Sequence, residues 1–560
     1  MLAAMKRWIP HVVLLWFLTG GLSLDAVVQA GETSESAKVA DLERRVQELE
    51  AIIRQLQTER AAPAPLVEQP EVIMPTPPRP VAEEKPSQAE ADKPAEPIKP
   101  SNQAAEAKGY EVGSDLSMKA SWRDGFVVET PHRDFRLHLG GRFQADMAFF
   151  APDANLKNAF PDFWKDGADF RRLRVRADGT TWEVFDFVLE IEFAQGVQGD
   201  ERHPFPTDVF VDFKYIPFFG NLAVGHYKEP FSMQDYGTPD SFGVFMERGV
   251  DDAFTPDRNL GIMWHNAYFQ ETVALATGIF RANSDKFSGN AFDYGDGEYA
   301  WTSRVVFMPW YVNDGRCWLL FGPAYSHRSL KPDDFGRGKD GINPSRARFA
   351  LRPPIRVDSP VIVDTRDLQA DNYDLYNFQA ALNLGSFMLQ SEYYNAQVHN
   401  LRRGLIADSQ PRLLNPTFDG FYVQASYFLT GEYHPLDRKW GRLARVRPNE
   451  NWFFVRRGDK GCWNGFCQGW GAWEIAARYD YARLTSPALG AFPGVPGVPG
   501  SAVKAVTTAG YEQDLTLSIS CFLNPQMRIQ ANYVHAFRGV ADPLGRGDVD
   551  IFGMRVWFDF

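Results

Sequence analysis

The 560-residue chain holds only four cysteines. At that density disulfides cannot frame the fold, and with no His or further Cys at ligand spacing neither a metal nor another cofactor is expected. After residue 30 no apolar run approaches the roughly 18 residues that a membrane helix needs. Neither G-x-S-x-G nor H-E-x-x-H occurs, so the sequence offers no activated nucleophile and no catalytic residue to nominate. Positive charge is also scarce: 59 Lys plus Arg against 71 Asp plus Glu give a formal net charge of −12. Nucleic acid, which draws on an excess of Lys and Arg, is therefore not an expected partner. Lysine is rarest where arginine is not, since residues 120–560 carry 36 Arg against 10 Lys.

What is present begins with an export signal. Lys6 and Arg7 precede the short apolar run VVLLWFLTGGLSL, and Val28-Gln29-Ala30 offers a small-residue cleavage site, so residues 1–30 read as a signal peptide. In 31–60, Val39, Val46 and Ile53 take the a positions of a heptad and Leu42, Leu49 and Leu56 the d positions, a short coiled coil or an amphipathic helix packed on its own domain. Residues 61–119 read as a linker; 61–108 hold eleven prolines and almost no aromatics, which makes an extended spacer.

From about residue 120 to 560 the pattern has a period of two. In FRLHLGGRFQADMAF (135–149), Phe135, Leu137, Leu139 and Phe143 alternate with Arg136, His138, Arg142 and Gln144. Fifteen such segments follow, the last being 547–560, and an aromatic share of 14% accompanies them. Short turns such as DGTT (178–181), FQET (269–272) and LGS (384–386) alternate with long polar loops. A β-sandwich also alternates, but sixteen long strands joined by connections that are short on one side and long on the other read as an all-β transmembrane barrel of the outer membrane. On that reading Phe135, Leu137 and Leu139 face lipid and Arg136, His138 and Arg142 face a wet lumen.

The stretches FRRLRVRADG (170–179), VGHYKEPFSM (224–233), FMERGVDDAFTPDRNLG (245–261) and FMLQSEYYNA (387–396) resemble the phosphate-selective porin O/P family, as do YVQASYFLTGEYHPLD (422–437), GWGAWEIAARYDYARL (469–484) and FLNPQMRIQANYVH (522–535). They occur in family order over nearly all of 120–560. The resemblance implies a sixteen-stranded homotrimer in outer-membrane lipid, each pore narrowed by two outer loops and one periplasmic turn, with a basic ladder leading anions to a central site. The three longest connections, 229–258, 327–372 and 432–469, stand where those constrictions belong. The GCWNGFC stretch, where Cys462 and Cys467 are close enough to pair, and the FPGVPGVPG loop (492–500) depart from the family pattern.

Arginine's planar fork matches phosphate in a way lysine's point charge does not. Alternation turns Arg136, Arg142, Arg172, Arg174, Arg176, Arg304 and Arg528 inward, and the resemblance sets Lys228, Arg248 and Arg258 around the first inward loop. Asp146, Asp178, Asp186, Glu190 and Glu192 share the inner face and oppose them. The expected function is passive diffusion of small anions, phosphate by preference. The alternative is a general or mixed-selectivity porin whose coiled-coil stalk, in the periplasm, tethers the outer membrane to the cell wall.

Overall fold

The computed structural model describes residues 110–560 apart from 195–203, 218, 238–241, 282–297, 331–346, 367, 369, 403–412, 453, 457–465, 487–509 and 541–545. The signal segment, the heptads, the linker as far as residue 109 and the Cys462–Cys467 pairing fall outside the described residues. Cys317 and Cys521 are free thiols.

Sixteen antiparallel strands form the barrel: β1 Arg136–Pro152, β2 Gly167–Thr181, β3 Phe185–Glu192, β4 Phe205–Ile216, β5 Gly220–Lys228, β6 Arg258–Tyr268, β7 Val273–Arg281 and β8 Tyr299–Val312. The second half runs β9 Cys317–Ser329, β10 Asn372–Leu384, β11 Phe387–His399, β12 Thr417–Phe428, β13 Ala472–Arg483, β14 Gly510–Asn524, β15 Met527–Val540 and β16 Gly547–Asp559. Each pairs with its sequence neighbour, and β16 returns to β1 from Val549↔Pro152 to Asp559↔Arg142, which closes the barrel. The seam ends on Phe560, whose backbone exchanges hydrogen bonds of 2.7 and 3.0 Å with Gly141. A Cβ at Gly140 would stand 2.4 Å from the Phe560 carbonyl oxygen, so the close approach requires glycine there. A hairpin of Lys119–Trp122 and Phe126–Glu129 continues the same edge of β1, pairing Phe126 with Leu139.

The alternation read from sequence decides the faces. Leu137, Leu139, Met147 and Phe149 are among the exposed large apolar residues, while Gln144 and Asp146 between them are buried. In a membrane the exposed set meets lipid chains. The turn expected at 178–181 falls at 182–184 instead: β2 runs on through Thr181, and Trp182 and Glu183 take positive φ of 52° and 63°.

The inner face departs most from the expectation of a wet lumen. Described residues of the stretches 229–257 and 330–371, from the long-loop rim, and of 429–471, from the opposite rim, pack against the barrel wall. Phe231, Met246, Val250 and Phe254 of the first join Phe349, Ile355, Ile362 and Leu368 of the second in one buried apolar cluster with Tyr394, Phe418, Tyr422, Val534 and Ile551 of the wall. Phe254 stacks on Tyr394 at 5.7 Å, and Phe349 meets Phe418 at 5.1 Å. Leu436 and Leu443 of the third segment cluster with Val306, Trp318, Leu320 and Met388. The wall from β8 to β16 thus carries a core of the kind soluble proteins have. Charged side chains are left partly accessible mainly on the inner face of β1–β6.

Candidate anion path

One irregularity in the sheet shapes the site. Between β1 and β2 the register steps from Gln144↔Arg172 to Ala145↔Phe170, so Arg171 is an extra residue in a β-bulge. The bulge lets Phe170 face outward while both Arg171 and Arg172 turn in. Strict alternation would have sent Arg171 to the lipid side. Arg172 donates to Gln144 Oε1 at 2.8 Å, and Arg171 forms a two-pronged pair with Glu247 of the first inward segment, Nε–Oε1 2.7 Å and Nη2–Oε2 3.0 Å.

Glu247 is a hub. Arg555 of β16 donates to it at 2.5 Å and grips Asp146 with two bonds of 2.6 Å, and Arg356 of the second inward segment lies 3.5 Å away while pairing with Asp252. Burial pushes the Glu247 carboxyl up, but Arg171, Arg555 and Arg172 outweigh it and hold the group well below its ordinary range. The same crowding acts on the cations. Burial lowers the Arg356 guanidinium to about 10, Glu247 opposing and Arg171 and Arg248 adding to the fall. Arg352 is lowered by burial and then by Arg171, Glu247 opposing and Arg348 adding to the fall. Among the described residues, five arginines (171, 172, 352, 356 and 555) therefore act on one carboxylate, with Asp146, Asp252 and Glu512 as further acidic partners. Among the described residues these arginines outnumber the carboxylates they meet.

The remaining arginines of β2 are more nearly balanced. Arg174 is buried between Glu192 at 2.6 Å and Glu190 at 3.0 Å, and Arg176 reaches Asp178 at 2.9 Å. Toward the short-turn rim Arg136 lies 3.5 Å from Asp178, and Arg142 lies 3.6 Å from Asp559, which Arg445 of the third segment also approaches at 3.3 Å. Lys228 and Arg248 share one buried carboxylate, Asp235, at 3.2 and 2.5 Å. Arg258 sits apart from them, in a two-pronged pair with Asp208 at 2.8 and 3.2 Å.

Arg304 and Arg528 have another setting. Arg304 is 2% exposed and donates to the carbonyls of Trp440 and Gly441 at 2.9 and 2.8 Å, and to Gln379. Arg528 is also 2% exposed, lies between the rings of Phe522 and Trp557, and donates to the Gly243 carbonyl at 2.7 Å. Each fastens an inward segment to the wall, as Arg478 does through the Glu247 carbonyl and Arg538 through that of Ile362. Sequence reasoning passed over Arg171, Arg348, Arg352 and Arg356. The available signals were the Arg-Arg doublet in FRRLRV and the ARFALRPPIRV run (347–357), basic yet apolar enough to be held indoors.

Comparison with known proteins bears directly on this architecture. A family model described as phosphate-selective porin O and P matches residues 137–560. The chain belongs to that family. Porin O of Pseudomonas aeruginosa is 22% identical over 464 residues, covering 80% of this chain and 93% of its own. An uncharacterized protein of Caulobacter vibrioides is 26% identical over 533 residues, covering 93% of this chain and 88% of its own. Among solved structures, an anion-selective porin from Comamonas acidovorans aligns over 76% of this chain and all of its own, with 13% identity and a TM-score of 0.40. The outer-membrane channel DcaP of Acinetobacter baumannii aligns over 77% of this chain and 99% of its own, with 9% identity and a TM-score of 0.43. Family and barrel together assign this porin to the outer membrane.

Proposed function

We propose that this porin conducts small anions by passive diffusion and prefers phosphate. The observation that carries the reading is the arginine centre around Glu247, built by the β2 bulge and the two long inward loops. Guanidinium forks offer phosphate oxygens paired donors, and low-dielectric walls strengthen the field they make. The carboxylates among the cations fit transport rather than capture, because a permeating ion must also leave. Arg136, Arg142, Arg176, Lys228, Arg248 and Arg258 would form the approaches to that centre. Arg172 and Arg174 would act from within the wall.

A reversal potential under a KCl gradient, followed by phosphate titration of the chloride current, tests this. Anion selectivity with phosphate block is expected. Cation selectivity or indifference to phosphate would overturn it and favour the second reading, a mixed-selectivity pore. The observation behind that second reading is the close pairing of Arg174 and Arg176 with Glu190, Glu192 and Asp178. A homotrimeric assembly and cell-wall contact through residues 31–60 belong to the same proposal.

A further inference from the structure

The Glu247 carboxylate is an anion that the chain itself supplies to the arginine centre. It meets the Arg171 guanidinium edge to edge, Nε–Oε1 2.7 Å and Nη2–Oε2 3.0 Å, in the same two-pronged pairing that a phosphate takes from arginine. The partners differ in access. The Arg171 side chain is 25% exposed, whereas that of Glu247 is 3% exposed and that of Arg555 1%. Arg356, whose Nε lies 3.5 Å from the Glu247 Oε2, is 24% exposed. An anion in the lumen therefore reaches Arg171 and Arg356 before it reaches the carboxylate that the two share.

Two further features make the Glu247 side chain the part that can move. Its backbone is pinned, because Arg478 donates to the Glu247 carbonyl at 3.1 Å and Arg555 donates to that of Met246. The carboxylate also has other cations to turn to, with Arg555 Nη2 2.5 Å from Oε1 and Arg356 beside Oε2. It can leave Arg171 without becoming an unpaired buried charge. Against the upward push of burial, Arg171, Arg555 and Arg172 hold the carboxyl well below its ordinary range, so it competes as an anion at neutral pH.

We propose that Glu247 is the exchange group of the pore: it holds the Nε–Nη2 edge of Arg171 between passages, yields that edge to an entering anion, and displaces the anion by returning. The inference rests on the anion-path reading above and names the residue that sets how firmly and how long the centre holds its guest. While the anion sits on Arg171, the carboxylate remains on Arg555 and repels the guest at short range, where low-dielectric surroundings make like charges costly. Release then needs no movement of the loop, only the swing of one side chain.

The test uses the full-length porin in planar bilayers with inorganic phosphate as the probe, at one fixed pH. Glu247→Gln keeps the shape of the side chain and removes the competing charge. Its half-blocking phosphate concentration for chloride current should be about tenfold lower than the native value or less, as a unit repulsion at this range implies. The residence time of phosphate in single-channel records should lengthen by a similar factor. Glu247→Asp retains the charge but withdraws it from Arg171 by one carbon, so it should shift both quantities the same way by less. A carboxylate that only braced the arginines would have the opposite sign, its loss loosening them and raising the half-blocking concentration. That result in either variant, or native values in E247Q, overturns the inference. Native anion selectivity under a KCl gradient, with native phosphate block, leaves the pore reading standing beside such a failure. A native porin with neither removes the two together.

Discussion

Arg171 and Arg528 show how little a residue's type says about its work. Both are inward arginines near the first inward segment, but Arg171 offers its fork to a carboxylate beside other cations, whereas Arg528 is enclosed by rings and spends a donor on a backbone carbonyl. Arg171→Ala should raise the half-blocking phosphate concentration by about tenfold, since a hydrogen bond to a charged group contributes about 1.5–3 kcal/mol. Arg528→Ala should leave that concentration near the native value and instead loosen the seat of residues 242–246. The expected sign is a noisier single-channel trace with frequent substates. Phosphate titration and single-channel recording of the two variants separate the roles, and equal losses of phosphate block would show that both touch the anion.

At the scale of elements, the strands were legible because a period of two needs only the order of residues. The bulge was not legible. Nothing in FRRLRV says which arginine is the extra one; that is decided by pairing with Gln144 and Ala145 on another strand. The three long loops stood out by their length and by the family resemblance, but their packing was missed, because Phe231, Phe254, Phe349 and Ile355 look like scattered apolar residues until the topology brings them onto Tyr394 and Phe418. The bulge makes a specific prediction. Deleting Arg171 restores regular pairing of Gln144 with Arg172 and of Ala145 with Phe170, so the barrel should still fold, as judged by the heat-dependent gel mobility of closed barrels. Its phosphate block should weaken as much as that of Arg171→Ala. A deletion variant that cannot fold would mean that the bulge is needed for closure itself.

For the whole molecule, net charge and local potential point in opposite directions. The chain carries −12, yet its interior gathers arginines where two loops and a strand meet. Long-range attraction of anions by the molecule as a whole is therefore not expected, and selectivity should come from short range. It should fall only slightly between 0.1 and 1 M KCl, where the Debye length shrinks from about 10 to 3 Å. A steep fall would place selectivity on exposed charges instead. On the tethering proposal, removing residues 31–108 should leave single-channel conductance intact while reducing attachment of the outer membrane to the cell wall, read as increased vesicle shedding.

The inward loops leave the sheet with two kinds of backbone. Along β11, β12 and β15 the strands have lipid on one side and packed protein on the other, as Tyr394, Phe418 and Val534 record. Along β2–β4 the inner face instead carries charged side chains, Arg174, Arg176, Asp178 and Glu190 among them. Amide hydrogens of the first group should persist for days in heavy water, and those of the second should be replaced much sooner, even where the ladder between the bulges is regular. A single closed cylinder would then be stiff on one flank and pliable on the other, and the anion path proposed above would run along the pliable one.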